Sequence, residues 1–187
     1  YGLASFTAAM LDEGAGSRTA LELADAIDFL GASLSTGSSF DASTIRLETP
    51  MSKLDDALPL MADVTMRPSF SQTELERLRK ERLTSLLQTR DNPAGLASVA
   101  FSRLVFGPRH RYGTAAIGND ASNGEMAAAD LRSFYSAYYQ PQNAHLIVVG
   151  DVTADSLMPK LEKAFGAWKN AASPAKPALE SAAQHGA

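Results

Sequence analysis

The chain contains no cysteine, which excludes disulfides, thiolate zinc sites and cysteine nucleophiles and leaves its redox compartment open. It has three histidines, His110, His145 and His185, spread so widely that none forms the close-spaced ligand pair of a typical zinc site; they read as ordinary surface or strand-edge residues. No serine lies in a G-x-S-x-G nucleophile elbow. No apolar run approaches the roughly 18 residues of a spanning helix, and no signal peptide is visible. Neither sign of charge dominates: the net charge is −4, with lysine and arginine spread along the chain, which argues against a nucleic-acid partner. What remains is 187 residues, 45% hydrophobic and 20% charged, the make-up of a soluble globular chain of one or at most two domains.

Helical signals predominate. Gly2–Gly14 reads as a short helix stopped by glycine. Thr19-x-x-Glu22 is a capping box before Ala20, Leu23, Ala24, Ile27 and Leu30, and Gly31 ends that helix. Residues 32–40 and 43–49 read as two antiparallel strands turning near Asp41, with Gly37 weakening the first or marking a close backbone approach. Ser52 is the expected N-cap of a helix over 53–65 that Pro59 should kink or shorten. Ser71-x-x-Glu74 is a second capping box, opening a helix with Leu75, Leu78, Leu86 and Leu87 inward and its arginines and lysines outward. Asn92-Pro93 starts a helix with Leu96, Ala97, Ala100, Phe101 and Leu104 on one face. Residues 109–126 read as a polar loop, 127–139 as a helix with Leu131, Phe134, Tyr135 and Tyr138 in register, 144–149 as a buried strand, and Thr153 as the cap of a last helix reaching Phe165. Few, clustered strands among consecutive helices predict an α+β fold, with helices packed on one face of a mainly antiparallel sheet.

The frame Gly2-Leu3-Ala4 … Met10 … Gly14 resembles the metal-site helix of the insulinase/pitrilysin zinc peptidases, which include the mitochondrial processing peptidases. In that family Gly-Leu-Ala is followed by H-x-x-E-H. Here Ser5, Ala8 and Ala9 stand at the first His, the Glu and the second His. Further pieces follow in family order: Leu30-Gly31-Ala32, Arg67-Pro68-Ser69-Phe70, Leu75-x-x-x-Arg79-x-x-Arg82, His110-Arg111-Tyr112-Gly113 with Gly118, and Tyr139-x-Pro141-x-Asn143 before Leu146–Val152. Aligned through Asp91-Asn92-Pro93, the family's third zinc ligand falls at Thr84 or Ser85.

The resemblance implies a metallopeptidase-like (insulinase/pitrilysin) domain over residues 1–169 that lacks the family's first two strands, followed by a linker or tail over 170–187. It implies no cofactor in this chain and zinc in a catalytic homologous domain or subunit carrying H-x-x-E-H. It also implies that the strand with Ser35, Thr36, Gly37, Ser38 and Ser39 binds an extended peptide substrate by main-chain pairing. A chain of this kind is expected to be inactive alone and to serve proteolysis by binding substrate or walling a chamber. The alternatives are a fragment of an active zinc metalloendopeptidase whose H-x-x-E-H lies outside these residues, and a structural core subunit without a proteolytic role. Two-subunit members of this kind are often bacterial and exported, which points to the periplasm, with the cytoplasm as the alternative. The adjacent carboxylates Asp12-Glu13 and Asp55-Asp56 read as helix-surface charges, because neighbours i, i+1 on a helix do not face each other.

Overall fold

The core is built around helix α1 (Leu3–Ala9), whose Phe6 is fully buried, as are Met10 and Leu11 just beyond it. Its start requires glycine: Gly2 has φ +81°, and a Cβ there would lie 2.6 Å from the Ile117 carbonyl oxygen. The computed structural model describes residues 1–170, so the predicted tail lies, but for Asn170, outside the described residues.

Helix α2 (Ala20–Phe29) begins with the predicted capping box. The Glu22 amide donates to Thr19 Oγ1 (3.3 Å) and the Thr19 amide to the Glu22 carboxylate (2.9 Å), while Leu23 and Ile27 enter the core. Strands β1 (Ser33–Ser38) and β2 (Ser43–Glu48) form an antiparallel hairpin, Ser33 opposite Glu48 and Ser38 opposite Ser43. Ser39 closes the turn: its amide donates to the Ala42 carbonyl (2.8 Å) and its hydroxyl accepts from the amides of Asp41 (3.2 Å) and Ala42 (3.1 Å). Helices α1, α2 and α3 (Leu54–Met66) lie against this hairpin, with Leu34 and Ile45 turned toward the core. The α+β arrangement, helices on one face of an antiparallel sheet, is therefore the architecture observed.

Several local expectations give way. Pro59 does not shorten α3, which runs through it to Met66. A 3₁₀ turn over Met51–Lys53 precedes that helix, so Ser52 is not its cap. Ser71 precedes helix α4 (Gln72–Arg90) without a side-chain cap bond, and the Glu74 carboxylate accepts from Arg77 Nε (2.7 Å). Helix α5 (Pro93–Phe106) has its predicted Asn92 cap yet no buried residue, and its Leu96, Phe101 and Leu104 are exposed. In α4, Leu75 and Leu78 are buried but Leu87 is exposed. The expected 109–126 loop contains helix α6 (Asp120–Glu125), begun by a reciprocal pair of bonds between Asn119 and Ser122. Helices α7 (Ala128–Tyr138) and α8 (Ala154–Phe165) follow, the latter capped by Thr153 as predicted. The expected strand over 144–149 is not formed: the sheet has only β1 and β2 among the described residues, and Leu146–Val149 are exposed. A strand exists only with a ladder partner, and an apolar run does not supply one.

Behind α1, the turn after Gly14 wraps the buried carboxylate of Asp63 in α3. Asp63 accepts from Arg18 Nη1 (3.1 Å) and from Arg67, and a Cβ on Gly16 (φ +63°) would lie 2.6 Å from its Oδ2. Phe70 follows in the left-handed region (φ +46°), held there as Arg132 Nη2 donates to the Phe70 carbonyl (3.0 Å) and the ring meets Tyr135 edge-on. We expect Asp63→Ala to cost about 2–3 kcal/mol, since it strips the acceptor shared by two arginines that can still reach water. Urea denaturation measures this, and a loss below about 0.5 kcal/mol would show that the turn does not depend on Asp63.

Candidate functional site

Of the positions expected to bear the metal motif, Ser5 meets an arginine. Ser5, on the first turn of α1, donates through Oγ to the Ala116 carbonyl (2.8 Å) and the Gly2 carbonyl (3.1 Å), and accepts from Arg82 Nη2 (2.7 Å). Arg82 reaches there from α4. Its Nη2 also donates to the Ile117 carbonyl (2.8 Å), its Nε to Asn123 Oδ1 (2.7 Å), and its guanidinium lies 4.6 Å from the Phe6 ring centroid. Asn123 is fully buried and spends its amide N–H groups on the carbonyls of Ile117 and Asn119, each at 2.9 Å. Every acceptor of Arg82 is neutral. With no carboxylate at hand, burial lowers its pKa to about 10, and it stays charged at neutral pH. One turn earlier Arg79 donates to the carbonyls of Asn123, Gly124 (2.9 Å) and Met126 (2.7 Å). Of the arginines of α4, many of which were expected to point outward, Arg79 and Arg82 turn inward. The carbonyls that draw them inward belong to a segment some 40 residues away in sequence, which helical periodicity does not register.

Ala8 is buried and Ala9 partly so; neither carries a donor. Ser85 is exposed, its carbonyl accepting from Thr89 Oγ1 (2.9 Å), and Thr84 Oγ1 donates to the Lys80 carbonyl (2.8 Å). These groups do not suit zinc, which takes imidazole, thiolate or carboxylate, and the guanidinium bonded to Ser5 would repel a second cation there. Among the described residues no three His, Cys, Asp or Glu side chains gather as a metal site; His185 lies outside them.

The residues named for substrate binding follow one another along β1 and into the turn. Ser35 is exposed, Thr36 Oγ1 donates to Asp12 Oδ1 (3.0 Å), Ser38 Oγ is shielded without a hydrogen-bond partner, and Ser39 holds the turn. At Gly37 a Cβ would meet only Thr44 Oγ1, 3.8 Å away, so no other segment among the described residues presses on it. β1 pairs with β2 on one side and with no other strand among the described residues. The turn is clamped by the 109–113 segment: Tyr112 OH donates to both Asp41 carboxylate oxygens (2.9 Å each), Arg111 Nη1 to the Phe40 carbonyl (3.0 Å), and Phe40 meets Tyr112 edge-on. The Asp41 carboxylate holds the Tyr112 phenol above its ordinary pKa. Sequence reading singled out His110-Arg111-Tyr112-Gly113 as a motif without seeing that it grips the hairpin.

Asp12 and Glu13, read as surface charges, differ in fact. Glu13 takes Arg77 (2.5 Å), whereas Asp12 lies beneath β1, where burial raises its pKa against the smaller opposing effect of the Thr36 hydroxyl. A carboxyl with a raised folded-state pKa destabilises the fold once pH exceeds that value, and the penalty vanishes below the ordinary aspartate pKa of about 3.9. Asp12→Asn keeps an acceptor for Thr36 and drops the charge. We expect it to raise Tm near pH 7.5 and to change it little near pH 4. Thermal melts at both pH values check this, and an equal shift at the two would refute it.

Two family models match the chain: Insulinase (Peptidase family M16) over residues 1–102, and the Peptidase M16 inactive domain over residues 125–186. An uncharacterized zinc protease of Mycobacterium leprae is 27% identical over 165 residues, covering 88% of this chain and 37% of that protein. The non-peptidase homolog YmxG of Helicobacter pylori is 24% identical over 164 residues, covering 88% and 38%. The crystal structure of a peptidase M16 inactive domain from Pseudomonas fluorescens aligns with a TM-score of 0.88 at 27% identity, over 97% of this chain and 44% of that one. The chain spans less than half the length of each of these relatives. Motif frame, helix order and matches agree, and the chain belongs to the insulinase family, peptidase family M16.

Proposed function

We propose that this chain is a non-catalytic domain or subunit of an insulinase/pitrilysin-type zinc peptidase assembly, and that it serves proteolysis by holding an extended peptide along β1 and walling the chamber of a zinc-bearing homologous partner. The observation that carries the reading is the Arg82–Ser5 bond. A guanidinium stands against the residue aligned with the first zinc histidine, and a cation at that point opposes binding of another.

Main-chain pairing supplies the peptide-binding half of the reading. An extended segment alongside β1 would find a strand paired on one side only, with small side chains at Ser35, Gly37 and Ser38 and room above Gly37. Such pairing gives affinity with little demand on sequence, as suits a holder of varied substrates. The zinc and its activated water would come from the partner. A second reading, that the parent protein carries its own H-x-x-E-H outside these residues, draws on the chain's covering only 37% of a relative named as a zinc protease. We place the assembly in the periplasm, after the exported two-subunit members it resembles, with the cytoplasm as the alternative. Among the described residues no helix is long and apolar enough to cross a membrane.

The test rebuilds the motif. Ser5→His, Ala8→Glu, Ala9→His and Ser85→Glu together should bind zinc poorly while Arg82 remains, and adding Arg82→Leu should tighten binding by about tenfold or more, since a fixed positive charge near a metal costs several kcal/mol. Equilibrium dialysis against zinc reads the difference, and the unaltered chain should cleave no peptide in a chelator-sensitive way. Equal zinc affinity with and without Arg82, or cleavage by the unaltered chain, would overturn the reading.

A further inference from the structure

A cleft of about 260 Å³ opens where β1 ends, lined among others by Ser5, Ala116, Ser38, Phe40, Arg109 and Arg111. Its charge is one-sided. The lining holds two arginines and no carboxylate. Arg111 is matched by Asp41, 3.3 Å away at the rim. Arg109 has no ion pair or hydrogen bond from its side chain among the described residues. Arg82, outside the lining, donates to Ser5 Oγ and to main-chain and amide oxygens, none of them charged. Two guanidinium charges therefore act on one small space without a counter-ion, in a chain whose net charge is −4. Ser38, at the end of β1, also lines the cleft, with its hydroxyl turned away from solvent.

A cleft with uncompensated cations favours an anion, and its position at the end of β1 favours an anion carried by a strand. We propose that this cleft is a subsite for a peptide carboxylate, an acidic side chain or a free C-terminus, with Arg109 as the residue that selects it. The proposal rests on the reading that an extended peptide adds to β1, and names what that peptide must offer at the Ser38–Phe40 end. Arg109 would form an exposed ion pair, and Arg82, bonded to Ser5, would contribute its charge without contact. The gain belongs to specificity more than to overall affinity, because main-chain pairing is common to every peptide.

The experiment measures binding of three labelled ten-residue peptides to the full chain by fluorescence anisotropy. One carries a central Glu and an amidated C-terminus, the second Gln in place of Glu with the amide, and the third Gln with a free C-terminal carboxylate. We expect at least one carboxylate peptide to bind about five- to tenfold tighter than the neutral one at low salt, with the preference shrinking at about 0.5 M salt. Arg109→Gln should bring the peptides to within about twofold of one another, and Arg109→Glu should turn the preference toward a peptide with Lys at that position. Preference for the first peptide alone assigns the subsite to a side chain; preference for the third alone assigns it to a terminus. Equal binding of all three overturns the carboxylate subsite and leaves peptide pairing along β1 standing. A preference that survives Arg109→Gln removes Arg109 from the role. Binding of none removes both.

Discussion

The arrangement of this molecule depends on where the Arg82 guanidinium sits. It draws together the start of α1, the carbonyls of residues 2 and 117, and Asn123 of α6, while its own stem belongs to α4. A guanidinium suits that place because its donors radiate in one plane and reach several oxygens at once, which a lysine ammonium on a flexible stem does with less definition. Arg79, a turn earlier, repeats the pattern on three carbonyls between Asn123 and Met126. Helix α4 is thus fastened by leucines in its first half and arginines midway. Its outward face carries Arg77 with Glu13, Glu74 and Glu81, the salt-bridged surface that its charge spacing suggests.

The helical skeleton and the hairpin were legible because both announce themselves locally. Thr19 with Glu22, Asn92 before Pro93 and Thr153 before α8 are caps that act within one turn of chain, and each forms. The failures share a cause. Periodicity marks a face as apolar without saying that anything covers it: the Leu96–Leu104 face of α5 lies exposed, and so does the run at Leu146–Val149 that reads as a buried strand. Ser71 and Glu74 have the spacing of a cap, yet Ser71 makes no side-chain cap bond and the Glu74 carboxylate accepts from Arg77. Asn119 and Ser122 cap each other with a residue pair outside the usual box signature, so α6 went unseen.

The candidate site was legible by position and illegible by content. The motif frame located Ser5, Ala8 and Ala9, and the strand after Leu30-Gly31-Ala32 located Ser35–Ser39. That Arg82 meets Ser5 across 77 positions of sequence is a tertiary fact with no local signature. The same holds for Asp12 under Thr36 and for Asp41 in the grip of Arg111 and Tyr112. Functional geometry here comes from polar side chains crossing between elements, and those crossings are the part of a structure that helical and strand periods do not encode.

The clamp on the hairpin turn has a consequence for how a strand would be received. A free hairpin tip samples many conformations, and a visiting segment that pairs with it must first freeze them, at a cost of roughly 1–2 kcal/mol for each backbone residue ordered. Here Ser39 closes the turn from within, and Tyr112, Arg111 and Phe40 fix it from outside. The ordering is done at folding, once, and every later encounter starts from a rigid template. Rigidity of this kind would take that ordering cost out of binding and so tighten the hold on a segment that fits the template. The affinity of such a surface would therefore owe as much to the clamp beside the strand as to the strand itself.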